Sequence, residues 1–220
     1  MIKLQLLKLH PAIDALQKKH GSANFSAIYG AGCVKRPSLM LVFMNPTGKN
    51  VSAQLNWQGL RAPWLGTKNV WKILYKSGLI SERLFTSTQK MSPSEWTWEV
   101  ANNVYEEISK SNIYITNLAK CTQNDARHVP DGVFREYLNL MKEEIAEIDP
   151  KIIITFGNQV SSVLLNKPVS VSKYKGIEKE PLSIHKKVYN VYPTYYPVGQ
   201  GQRNMPLAFK RLKNILQIVE

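Results

Sequence analysis

Apolar positions along the chain follow two periods, and the switch between them marks out the elements. Leu6, Leu9, Ile13 and Leu16 recur at spacings of three and four, which predicts a helix over residues 4–19. Pro11 either kinks that helix or opens its second part, and Gly21 stops it. The same period predicts helices over 66–77, with Val70, Ile73 and Leu74 inward, and over 93–109, with Pro93 and Glu95 in the first turn. Further helices are predicted from Asp131 to Ile148, from Gly157 to Leu165 and from Asn204 to Val219. Between them lie short apolar runs that are too brief for helices, three of the four rich in β-branched residues. These are 38–43, 112–117, 151–156 and 187–192, and each reads as a buried strand. Residues 168–181 read as an irregular, lysine-bearing excursion.

Strands that alternate with helices and lack a polar face predict an α/β fold. The expected architecture is a three-layer sandwich whose central four-stranded, mainly parallel sheet is flanked by helices. One domain over residues 1–220 is expected, with residues 1–30 as a helical extension packed on it. In such folds a ligand sits beyond the carboxyl ends of the strands. Attention therefore falls on the loops starting at Asn45, Asn117, Gly157 and Pro193.

Charge changes this picture. Lys and Arg total 29 against 16 Asp and Glu, a formal net charge of +13. So basic a chain attracts polyanions, nucleic acid before anionic membrane. Five Trp and ten Tyr add flat surfaces on which bases stack. The two cysteines, Cys33 and Cys121, are too few for a disulfide framework or a four-thiolate site. The four His show no ligand spacing, so no metal is expected. There is no signal-peptide pattern at Met1–Gln5, and no apolar run approaches the ~18 residues of a membrane helix. A cytoplasmic, intracellular setting (nucleoid-associated in a prokaryote), no membrane partner and a monomer are the corresponding expectations.

The loops supply the candidate chemistry. Phe43-Met44-Asn45-Pro46-Thr47-Gly48-Lys49 places one amide at the end of a buried strand, with Gly48 open to close approach of a ligand. An ordinary strand-to-loop turn would read the same way. Ile115-Thr116-Asn117 puts a second amide at another strand end. Its donor and acceptor together can read adjacent O4 and N3–H groups of uracil, or cap local backbone. Residues 191–203 form a strand end followed by a Pro- and Gly-bearing loop that finishes on Arg203. Gly30-Ala31-Gly32 lacks the third glycine of a dinucleotide fingerprint and precedes the first main strand, so a dinucleotide-binding reading is weak.

Taken together, in order and spacing, these loops resemble the uracil-DNA glycosylase superfamily from about Leu39 to the C-terminus. Asn45-Pro46 resembles the first motif of the mismatch-specific and single-strand-selective branches, which implies that Asn45 orients the attacking water. Arg61-Ala62-Pro63-Trp64-Leu65-Gly66-Thr67 resembles the segment whose aromatic residue stacks on the flipped base, which implies Trp64, with Trp57 as a second candidate. Residues 115–121 resemble the base-reading strand, which implies Asn117, with Met44 and Pro46 also lining the base. Residues 150–157 resemble the next core strand, and 193–203 the third motif with its wedge loop. The DNA contacts implied are Lys49, Lys68, Thr194, Gln202 and Arg203, with Gln202, Arg203 and Met205 as the candidate wedge.

Two departures stand out. Tyr196 occupies the place of the third motif's usual His, so the donor to the base O2 becomes a phenol. The thermostable branch, whose Lys-Cys pattern resembles Lys120-Cys121, carries a four-cysteine iron–sulfur cluster. Here Leu138 or its neighbours, and Gly30, stand where two of the ligands belong, so no cofactor is expected. The resemblance implies a monofunctional DNA glycosylase that hydrolyses the N-glycosidic bond of uracil or another deaminated base in base excision repair. Hypoxanthine or xanthine as substrate, and damaged or single-stranded DNA binding without catalysis, are the alternatives.

Overall fold

The computed structural model describes residues 4–126 and 129–218. Strands β1 (Ala31–Gly32), β2 (Leu39–Phe43), β3 (Ile113–Asn117), β4 (Ile152–Phe156), β5 (Glu180–Ile184) and β6 (Lys187–Thr194) form one sheet in the order β1-β3-β2-β4-β6-β5. The four expected strands, β2, β3, β4 and β6, are its parallel centre. The antiparallel edge strands β1 and β5 were not expected and bring the sheet to six. In β5, Glu180-Pro181-Leu182-Ser183-Ile184 alternates outward and inward and closes on β6 by a tight turn in which His185 has φ 51°. Pro181 is tolerated there because an edge strand has no second neighbour to bond.

The period-2 geometry of the strands sorts the core into two layers. Leu39, Leu41, Phe43, Ile113, Ile115, Ile154 and Phe156 face α3 (Asn69–Lys76), α4 (Glu82–Lys90), α5 (Trp98–Lys110) and α9 (Met205–Leu216). Met40, Val42, Tyr114, Ile153 and Val191 face the other way, onto α1 (Leu4–Leu7), α6 (Asp131–Glu136), α7 (Leu138–Ile148) and α8 (Asn158–Leu165). Helix α2 (His10–His20) follows α1 and buries Ile13 and Gln17. The result is the three-layer α/β sandwich.

Helix boundaries shift where capping chemistry outweighs apolar period. Pro11 sits in the first turn of α2, so the N-terminal segment is two helices rather than one kinked rod. Helix α4 was not expected; it begins where the Ser81 side chain accepts from Leu84 N–H. The 93–109 segment opens as a 3-10 turn over Pro93–Glu95, and α5 starts anew at the Thr97 cap. A break at Tyr137 divides the segment from Asp131 to Ile148 into α6 and α7. Val219, the expected end of the last helix, lies outside the described residues. Among the described residues no helix is long and apolar enough to cross a membrane.

Candidate active site

The parallel register brings four strand ends into one transverse row. Phe43 pairs with Asn117, Val42 with Thr155 and Phe156 with Thr194, so the row reads Asn117–Phe43–Phe156–Thr194. The two Phe rings at its centre stack 4.2 Å apart and 4° from parallel. Trp64 meets Phe43 edge-on at 4.9 Å, and Tyr196 does so at 6.5 Å. Two polar side chains flank the stacked pair, and both are buried without a hydrogen-bond partner at their oxygens: Asn117 Oδ1 and Thr194 Oγ1. An unfilled buried acceptor costs roughly 1–3 kcal/mol. Such an atom calls for an explanation, and an incoming ligand that supplies the missing partner is one.

Asn117 is 2 % exposed. The chain beyond it is knit to the first motif, with Leu118 N–H donating to Phe43 O at 2.8 Å and Ala119 N–H to Met44 O at 3.1 Å. Asn45 is also buried, and its Nδ2 donates to Pro46 O at 3.0 Å, which leaves Oδ1 to accept from another donor. The turn is held by Gly48 N–H to Gln123 O and Gln123 N–H to Pro46 O. At Gly48 the Phe25 ring packs where a Cβ would stand, so a larger residue would have to displace that ring. Asn50 anchors the next stretch. Its Oδ1 accepts from Ser52 N–H and its Nδ2 donates to Ala62 O at 2.8 Å.

Trp64 adopts φ 65°, a left-handed conformation that costs an L-residue about 1–2 kcal/mol. Its carbonyl accepts from Thr67 N–H, the Thr67 hydroxyl and Trp71 Nε1, and these bonds pin it in place. The Trp64 Nε1–H is buried and unpartnered. The indole is half-buried against Phe43, so one side chain both packs on the core and borders the row. Trp57 is placed elsewhere. Its Nε1 donates to Leu60 O at 3.1 Å, and it lines a separate shallow cleft with Trp96 and Trp98.

Tyr196 is half-buried, with Gly157 facing its Cβ and Gly201 beneath its carbonyl. Burial pushes its phenol well above the ordinary tyrosine range, so the hydroxyl keeps its proton and acts only as donor or neutral acceptor near neutral pH.

The structure brings together Asn45, Pro46, Trp64, Asn117 and Tyr196 at the carboxyl edge. Lys49, Lys68, Gln202 and Arg203 are exposed on the loops and helix start around it. Two expected assignments change. Thr194 is 0 % exposed, so it cannot meet a DNA phosphate from this position and belongs to the buried row instead. Met44 directs its side chain to the opposite face of the sheet, among the residues packed on α6 to α8, away from the aromatic cluster. Phe43 and Phe156 were missed. Each is the last residue of its strand, and it is the register between strands that sets them side by side.

The donor set does not fit an iron–sulfur cluster. Cys33 Sγ donates to Asn112 Oδ1 at 3.3 Å, Cys121 is fully buried and accepts from Gln123 Nε2, and among the described residues no three His, Cys, Asp or Glu converge. A cavity of about 670 Å³ opens at the β1 edge of the sheet and reaches Lys120 and Glu144. It sits beside β1, between Leu9, His10, Tyr29, Arg61, Tyr105 and Tyr114.

A sheet of this order with helices on both faces defines a three-layer α/β sandwich, with paired amides and aromatic rings at its carboxyl edge. Residues 30–219 match the sequence profile of the uracil DNA glycosylase superfamily, and the chain belongs to that family. Members of the family are typically DNA glycosylases. No curated protein sequence matches the chain.

Proposed function

We propose that this protein is a monofunctional DNA glycosylase that flips uracil, or another deaminated base, out of DNA and hydrolyses its bond to the sugar. The observation that carries the reading is the buried, unpartnered Asn117 Oδ1 at the end of β3, beside a cluster of four aromatic rings. A pyrimidine edge offers an N–H to that oxygen and a carbonyl to the same amide's N–H₂. Trp64 is the stacking partner, worth on the order of 1–3 kcal/mol per base.

Cleavage develops positive charge on the sugar and negative charge on the leaving base. Asn117 Nδ2 and the protonated Tyr196 hydroxyl are donors suited to stabilising the base oxygens as that charge grows. Asn45 has no basicity; its Oδ1 holds a water in line with the sugar carbon, which is positioning rather than proton abstraction. A carboxylate there would also attract the cation, so Asn45→Asp is expected to raise the rate. Lys120 is not a Schiff-base nucleophile, because it is 1 % exposed and its Nζ is already bound to Thr116, Asn117 and Glu144.

The charge pattern supports DNA as the partner. No Asp or Glu occurs from Ala15 to Ser81 or from Pro181 to Val219. Those two stretches supply the Asn45 loop, Trp64, α3, β6, Tyr196, Arg203 and α9. Exposed Lys49, Lys68, Lys72, Lys76, Arg203, Lys210 and Lys213 come from them, and none has an acidic partner among the described residues.

The test is incubation with duplexes carrying one U, hypoxanthine or xanthine. Abasic sites should appear at one or more of them, with strand breaks only after alkali. DNA binding with no abasic sites on any substrate would favour a damage-binding role.

A further inference from the structure

Directly behind the base-reading strand end lies a buried ion pair that the chemistry above leaves unused. Lys120 and Glu144 are 1 % and 4 % exposed at their side chains, and Lys120 Nζ lies 2.6 Å from Glu144 Oε2. Both groups make further hydrogen bonds, while Glu144 Oε2 has the ion-pair contact alone. Lys120 also donates to Thr116 Oγ1 and, at 2.7 Å, to the backbone carbonyl of Asn117. Glu144 Oε1 accepts from Tyr114 Oη at 2.9 Å and from Thr116 Oγ1 at 2.8 Å. Burial lowers the Lys120 ammonium while Glu144 opposes the shift. Gly30 is shaped to the same cluster, since a Cβ there would collide with the Tyr114 hydroxyl and Glu144 Oε1.

A buried pair of this kind is poor value as a stabiliser. Its desolvation penalty rivals its Coulombic gain, and apolar replacements of similar volume are often neutral or better. Its placement suggests another use. Tyr114 and Thr116 point to the α7 side of the sheet, whereas Asn117 points to the side of Phe43 and the aromatic cluster. Strand β3 ends at Asn117, and the peptide that follows is held on its N–H side by Leu118 N–H donating to Phe43 O at 2.8 Å, which leaves its carbonyl to a separate donor. Among the described residues the one side-chain bond to the Asn117 carbonyl comes from Lys120, on the opposite face of the sheet from the Asn117 amide.

We infer that the Lys120–Glu144 pair is a positioning device. It clamps the last peptide of β3 from one face so that the Asn117 amide is held in a single orientation on the other. The selectivity it sets rests on the reading of Asn117 as the base-reading residue. The clamp itself is a matter of geometry.

The experiment uses the full chain and two variants. Lys120→Met with Glu144→Leu replaces the pair by apolar side chains of similar volume. Glu144→Gln keeps the shape and removes the charge, in case the double variant does not fold. In ¹⁵N-labelled protein the Asn117 side-chain amide is assigned by its loss in Asn117→Asp. It is expected to shift or broaden in the folded variants, while the amides of Asn45 and Asn50 stay in place. An unmoved Asn117 amide overturns the clamp, whatever the activity. The second readout is binding to a duplex carrying a non-cleavable 2′-fluoro-deoxyuridine against a matched duplex with thymine. The variants are expected to keep their affinity for the thymine duplex and to lose at least tenfold of the preference for uracil, as misplacement by an ångström can cost. Full preference in a folded variant refutes the positioning role. A wild-type protein with no preference contradicts the functional reading instead, and the amide signal still decides the clamp.

Discussion

At the scale of single residues, the site is built from atoms that its own fold leaves unsatisfied. Asn117 Oδ1, Thr194 Oγ1 and Trp64 Nε1–H are all buried without partners, within one aromatic neighbourhood. Tyr196 is the one titratable side chain in the proposed chemistry. Because burial holds its phenol well above the ordinary range, excision should be insensitive to pH through the neutral region as far as this group is concerned. A Tyr196→His variant introduces a group titrating near ~6.5, and a limb in the pH–rate profile should appear there. Single-turnover rates across pH 5 to 9 check this. A limb already present in the wild-type protein near that pH would assign the chemistry to another group. Asn45→Asp, compared with the wild type in the same assay, is expected to speed base release.

At the scale of elements, the parallel strands decide which loops meet. The short, buried apolar runs made β2, β3, β4 and β6 legible in the sequence, and with them the strand ends and loops that carry Asn45, Asn117 and Tyr196. What could not be read was pairwise geometry. The row Asn117–Phe43–Phe156–Thr194 depends on a register between strands, which no single run encodes. Thr194 looked like a loop contact because β6 extends two residues beyond the apolar run that marks it. Strand β5 was hidden by its proline and α4 by a polar sequence whose start is set by the Ser81 cap. The Lys120–Glu144 clamp joins residues 24 apart through tertiary packing alone. The element-scale prediction concerns Gly30, where there is no room for a methyl group beside Tyr114 and Glu144. Gly30→Ala should destabilise by about 1–3 kcal/mol through overpacking, measured by urea unfolding. Unchanged stability would mean that the cluster yields freely.

At the scale of the whole molecule, charge is segregated along the chain. The acid-free stretches contribute α3 and α9, which pack on each other beside the strand ends. Lys68, Lys72 and Lys76 recur every four residues on the exposed side of α3 and its cap, and Lys210 and Lys213 are exposed on α9. If these cations hold phosphates, log Kobs should fall steeply with log salt. Lys68→Gln should make that slope shallower by about 1, while Lys151→Gln, at the amino end of β4, should leave it unchanged. Equal slopes for both variants would put the DNA on another face. The central claim is narrower: the strand-end row reads a base and releases it. Single-turnover release of uracil from a labelled duplex, wild type against Asn117→Ala, tests it most directly. The account predicts release by the wild type and a loss of 10²-fold or more in the variant, with DNA affinity within a few-fold. Release by the variant at the wild-type rate would contradict it.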